Sequence, residues 1–150
     1  METTNQKITP FLWFDKNAEE AVNFYISVFK DAKIKTVQRM NGAVLTIAFE
    51  LNGQEFVALN GGPMFKFTEA VSFVIYCKDQ EEIDYFWKSL AEGGQEQQCG
   101  WVKDKFGLSW QVVPVNIDKL LNSGDPQKTD RAMQALMKMA KLDIKALQEA

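Results

Sequence analysis

Histidine is absent from this 150-residue chain. That removes the imidazole from each role it commonly fills: metal ligand, proton shuttle, and the base of a Ser–His–Asp or Cys–His arrangement. Cysteine is scarce. Cys77 and Cys99 are too few for a disulfide scaffold, and their spacing matches no zinc motif. Long apolar runs are missing, so no membrane-spanning segment is expected. The opening METTNQKITP lacks the apolar stretch of a signal peptide. Lys and Arg total 17 against 20 Asp and Glu, for a formal net charge of −3. The positive charges are scattered, which argues against nucleic acid or a membrane surface as partner. Together these absences predict a cytoplasmic protein.

What is present is ordinary for a globular domain: 46% hydrophobic and 25% charged residues, in a chain long enough for one real core. Residues 8–14, ITPFLWF, read as a strand that Pro10 places at an edge or strand start. Asn17 and Glu20 form a capping-box pattern ahead of a helix with Ala18, Ala21, Val22, Tyr25 and Phe29 on one stripe. A weak strand over 34–40, a strand over 44–51 and a strand over 55–60 follow. Asn41-Gly42 and Asn52-Gly53 join them as hairpin turns. Gly61-Gly62-Pro63 closes this half. The second half repeats the order: a strand over 71–77, a helix capped by Asp79 with Glu82, then short strands near 95–98, 100–103 and 108–114. Asp104 and Gly107 bound a turn just before the last strand.

The expectation is an α+β fold of two βαβββ modules, about 8–62 and 70–115, forming a curved mixed sheet around a cleft. A helical tail follows at about 125–150. Asp125-Pro126 starts it, and Met133, Leu136, Met137 and Ala140 form its apolar stripe. The stripe serves either core or dimer packing or a recruitable partner site. Strand alternation places Leu45, Ile47, Phe49 and Leu51 against the helices. The same reading puts Val57 and Leu59 on the helix side, and Phe56, Ala58 and Asn60 on the opposite, cleft face with Thr46, Glu50, Ser72 and Tyr76. Trp110 and Gln111 fall on opposite faces, Trp110 inward. Phe11 and Trp13 share one first-strand face and are candidates for a ligand-contacting wall.

ITPFLWFD, AEEAVNFYISVF, the NGG after the fourth strand, GWVKDKFGLSWQVVP and the tail DRAMQALMKMAKLDIKALQ resemble the PhnB-like branch of the vicinal oxygen chelate superfamily. That superfamily includes glyoxalase I, bleomycin-resistance proteins and extradiol dioxygenases. Members of the branch often carry a 3-demethylubiquinone 3-methyltransferase label. The resemblance implies paired βαβββ modules forming a cleft, usually in a homodimer. In its metal-using relatives, four side chains, mostly His and Glu, hold a divalent ion. Carried over, those positions fall on Gln111, on Ser72, on Asn60 or less well Ala58, and loosely between Thr9 and Phe11. None is charged or an imidazole, so no metal and no cofactor are expected. The chain also has no GxGxG pattern of the kind an S-adenosylmethionine enzyme needs.

Three readings follow. The first is a metal-free cleft protein in which Phe11, Trp13, Phe56, Asn60, Ser72, Tyr76 and Gln111 hold a small, partly apolar molecule. The second is an enzyme, an isomerase, lyase or methyltransferase, using a relocated metal or Glu50 as base. An apolar wall beside Glu50 would raise its pKa. The third is an interaction protein working through the Met-bearing tail helix.

Overall fold

A computed structural model describes residues 4–150. The chain divides into two compact units, Met1–Phe67 and Thr68–Ala150. The first holds β1 (Phe11–Phe14), α1 (Ala18–Val28), β2 (Ala32–Met40), β3 (Ala43–Leu51) and β4 (Gln54–Asn60). The second holds β5 (Ser72–Cys77), α2 (Gln80–Ala91), β6 (Gln95–Glu96), β7 (Trp101–Lys103) and β8 (Ser109–Pro114). Each unit is therefore a βαβββ module, as the repeat of architecture predicts. Three helices follow in the second unit: α3 (Ile117–Leu121), α4 (Pro126–Met137) and α5 (Ile144–Glu149). Helix α3 was not anticipated.

Each module forms a four-stranded mixed sheet, ordered β1-β4-β3-β2 and β5-β8-β7-β6. The first strand pairs parallel with the last, and the remaining pairs are antiparallel. The parallel pair needs a crossover, which the helix supplies. Both Asn-Gly turns have two successive residues with positive φ: Asn41 53° and Gly42 84°, Asn52 50° and Gly53 86°. That is the backbone twist a two-residue hairpin requires.

In the first unit Tyr25, Val22 and Ala21 of α1 pack fully buried on Ile47, Phe49 and Leu51. Val28, not Phe29, completes the buried stripe. Phe29 is the extended residue that ends the helix. In the second unit Ile83, Trp87 and Leu90 of α2 cover Ile75, Cys77, Val102, Trp110 and Val112. Trp110 points inward as expected, and its indole N–H donates to Asp104 Oδ2 at 2.9 Å. Asp104 Oδ1 also accepts from the amides of Phe106 and Leu108, so the buried carboxylate pins the turn that launches β8.

Strand β4 corrects the face assignment. Phe49 pairs with Phe56 and Ile47 with Ala58, and directly paired residues share a face. Phe56, Ala58 and Asn60 therefore face α1, while Val57 and Leu59 lie on the open face. Phe56 stacks on Phe49 at 5.3 Å in the core and is not a cleft residue. The tail differs too. Ala132 is its buried α4 residue, whereas Met133 and Met137 stay exposed.

Candidate functional site

Asn60 does a structural task. Its Oδ1 accepts from the Ala18 amide at 2.9 Å and its Nδ2 donates to the Val44 carbonyl at 3.0 Å. Asn17 occupies the N-cap position but makes no side-chain cap bond. The cap comes from a neighbouring strand, satisfying one of the four orphan amides of α1. By contrast, Asp79 caps α2 as anticipated, accepting from the Glu82 amide at 2.9 Å, while Glu82 reaches back to the Lys78 amide.

The glycines after Asn60 are accounted for in the same way. A Cβ on Gly61 would sit 2.5 Å from the Trp13 indole, so only glycine lets that ring lie against the loop. The Trp13 N–H then donates to the Gly62 carbonyl at 2.9 Å, and Phe65 packs edge-on at 4.9 Å. Trp13 is thus engaged by its own loop. Phe11 shares its face and is 58% exposed. On the same face Glu50 lies 3.8 Å from Lys33. Glu55 bonds to Lys35 and Thr4, which hold its carboxyl below the usual glutamate range. Glu50 therefore faces a lysine partner rather than the apolar wall it was expected to meet.

A hollow of about 540 Å³ in the first unit lies between the β2–β3 hairpin and the residues that open α1. Lys16, Glu19 and Arg39 border it. Asn60 also lines it, but both ends of its side-chain amide already hold α1 and β3 in place.

The second unit assembles more of the expected residues. Its register lays the open face out in rows. Ser72, Ser109 and Lys103 form the first row; Val74, Gln111 and Trp101 the second; Tyr76 and Val113 the third. The face runs from polar to aromatic and apolar. Gln111 Nε2 donates to Ser72 Oγ at 2.9 Å, so two predicted site residues are brought together. The Ser109 side chain is fully buried, and its hydroxyl has no partner among the described residues. At the polar end, Lys103 meets Glu69 at 3.1 Å, which lowers the Glu69 pKa through that hydrogen bond first and its charge second.

At the apolar end lies a hollow of about 250 Å³. Tyr76, Trp101, Gln111 and Val113 form its floor, and Cys99 stands at its side. None of the described residues lining it is charged. Cys77, on the opposite face, is fully buried, and burial first, with Glu82 and Asp79 second, pushes its thiol up to about 12. Strand alternation alone does not assign Trp101 to wall or core. Its pairing with Gln111 puts it on the wall. Cys99 was not selected from the sequence, because an isolated thiol in a turn carries no periodic signal.

These side chains do not suit the divalent metal that the resemblance brings to mind. Ser72 and Gln111 offer neutral oxygens and are bonded to each other, and Asn60 is committed to α1. Among the described residues no three His, Cys, Asp or Glu side chains come together. A transition-metal site needs softer or charged donors.

The sequence profile of the 3-demethylubiquinone-9 3-methyltransferase family matches residues 6–113, nearly three quarters of the chain. The chain belongs to that family. Among solved structures, the PhnB protein from Bacillus cereus is 38% identical, with a TM-score of 0.67; the match covers 72% of this chain and 99% of that one. FosX, the fosfomycin resistance protein from Listeria monocytogenes, shares the fold at 15% identity and a TM-score of 0.53, covering 73% of this chain and 91% of its own. A glyoxylase/bleomycin resistance protein/dioxygenase domain from Frankia does so at 14% identity and 0.51, covering 74% and 93%. No curated protein matches. The PhnB-like placement within the vicinal oxygen chelate fold therefore holds. The methyl-donor cosubstrate that the family's name implies has no evident cradle here. A Cβ on Gly61 would meet the Trp13 indole at 2.5 Å and one on Gly94 the Lys103 carbonyl at 2.1 Å, so neither of these two glycines leaves room beside its backbone.

Proposed function

We propose that this family member binds a small, uncharged, partly apolar molecule on the open face of its second sheet, and does so without a catalytic metal. The observation that carries the reading is the uncharged hollow over Tyr76, Trp101 and Gln111, with Gln111 held in place by Ser72. Aromatic walls supply apolar contact, and a few fixed amide and hydroxyl groups supply orientation, the usual division of labour in a small-molecule site. A homodimer fits the edge strand β2, where Ile34, Val37 and Met40 are exposed apolar residues that a second copy would cover. No helix of the described residues is long and apolar enough to cross a membrane, consistent with a ligand taken from solution.

Native mass spectrometry of freshly purified protein tests both parts. The expected result is a dimer carrying a substoichiometric small-molecule adduct that Gln111→Leu loses. Calorimetric titration with zinc, nickel and manganese ions tests the metal-free claim. Tight one-to-one binding of any of them, abolished by Gln111→Leu, overturns it.

A further inference from the structure

The floor of the hollow belongs to the part of the chain that the family profile matches. The roof does not. Ile117, Leu121, Leu136 and Leu142 line the hollow from the helical segment, and all four lie beyond residue 113, where the match ends. The Bacillus cereus protein likewise accounts for 72% of this chain while using 99% of its own. This chain therefore carries a quarter or so of its length without counterpart in that relative.

The roof is anchored rather than loosely laid. Cys99 and Gly100 have consecutive positive φ values of 62° and 83°, so their two amides point the same way. They donate to the consecutive carbonyls of Met139 and Ala140, each at 2.8 Å. A left-handed conformation at Cys99 costs on the order of 1–2 kcal/mol, so these bonds hold a backbone that would otherwise relax. Gly100 is required for a second reason: a Cβ there would lie 3.1 Å from Leu142 and 3.0 Å from the Val112 carbonyl. Leu142, fully buried, plugs into that gap. Gln80 clamps both sides of the same segment, donating to the Leu142 carbonyl and accepting from the Ile144 amide, each at 2.9 Å. Lys141 pairs with Asp84 at 2.8 Å.

Resting on the binding site proposed above, we infer that residues 117–142 set which ligand this family member accepts. They convert an open β-surface into a compartment for one uncharged apolar group that offers a hydrogen-bond donor to Gln111. Three observations define the class. The four roof side chains are aliphatic and none of the lining is charged, so an ionised group entering would lose its hydration without compensation. Gln111 has its amide N–H₂ turned to Ser72, which leaves Oε1 to accept from the ligand. The volume of about 250 Å³ exceeds what a benzene-sized guest needs, yet falls short of a drug-sized ligand, so one or two rings or an equivalent short chain is the limit.

Phenol and 1-naphthol serve as probes on the full-length protein, with benzoate as the charged control. Binding is read by calorimetry and by the rate at which iodoacetamide alkylates Cys99, the thiol beside the hollow; Cys77 stays silent. The expected result is saturable binding of both alcohols, slower Cys99 alkylation, and no effect of benzoate. Leu136→Trp, which fills the compartment from a half-buried position, should weaken both probes by about tenfold or more. Leu136→Ala should shift preference toward 1-naphthol. Thermal melts establish that both variants are folded. If the alcohols bind and Gln111→Leu weakens them, but neither Leu136 variant changes affinity or preference, the role of the roof is refuted while the binding site stands. If neither alcohol binds the wild-type protein, the binding site is refuted and the inference falls with it. Binding of benzoate as tight as that of phenol also overturns it.

Discussion

Replacing Asn60 distinguishes a structural cap from a ligand-orienting group. Asn60→Ala removes the acceptor at 2.9 Å for the Ala18 amide and the donor at 3.0 Å for the Val44 carbonyl. Loss of a cap acceptor costs about 1 kcal/mol, and loss of a neutral hydrogen bond about 1 kcal/mol more. For a chain of 150 residues, about 2 kcal/mol lowers Tm by about 4–8 °C. Asn60→Asp keeps the acceptor and places a negative charge at the start of α1, which contributes about 0.3–1 kcal/mol, while still losing the bond to Val44. Its Tm should fall between wild type and Asn60→Ala, close to the former. The assay is thermal unfolding followed by circular dichroism near neutral pH, with phenol binding measured on the same samples. The cap assignment requires that Tm drop while phenol affinity at the second unit stays unchanged. An Asn60→Ala protein with wild-type Tm refutes it, as does one with full stability and no binding.

Iodoacetamide should label one thiol per native chain up to mildly alkaline pH, because Cys77 is buried with its pKa at about 12 and Cys99 is half-exposed. Mass spectrometry should find two labels only after denaturation, and native labelling of Cys77 at pH 8 contradicts the burial argument. Gly61→Ala drives a methyl into the Trp13 indole and should cost about 1–3 kcal/mol, read as a lower urea midpoint with a red-shifted tryptophan emission. The double variant Gly61→Ala, Trp13→Phe should recover part of the loss; no recovery means the clash lies elsewhere. The hydrogen bond from Lys141, and then that from Gln80, hold the Asp84 carboxyl below the usual aspartate range. A depressed pKa stabilises the fold above the ordinary aspartate value, and the contribution disappears as pH falls through the depressed one. The Tm gap between wild type and Lys141→Met should therefore shrink on acidification through that window, and a gap independent of pH disproves the linkage.

Much of the fold was legible in the residues because it depends on local chemistry. The two Asn-Gly turns, the Asp79 and Asp125 caps and the Asp104–Gly107 turn each act within a few residues, and each is found where the sequence puts it. The face of Gln111 was legible as well, since Trp110 and Gln111 alternate along one strand. The face of β4 was misjudged because Phe56, Val57, Ala58 and Leu59 are all apolar, so alternation alone favours neither side. The signal that decides it was present. A two-residue turn at Asn52-Gly53 pairs Leu51 with Gln54, and counting outward from that pair puts Phe56 opposite Phe49. No comparable count reaches the cap that Asn60 gives α1, 42 residues away in the chain, or the bond between Ser72 and Gln111, or the seat of Leu142 against Gly100. Apart from α3, the sequence by itself determined which segments are helix, strand and turn, because those choices rest on residue type and near neighbours. Tertiary structure alone decided which polar groups were consumed in holding the molecule together and which were left facing a hollow, because hydrogen-bond partners distant in the chain meet only once the sheets have formed.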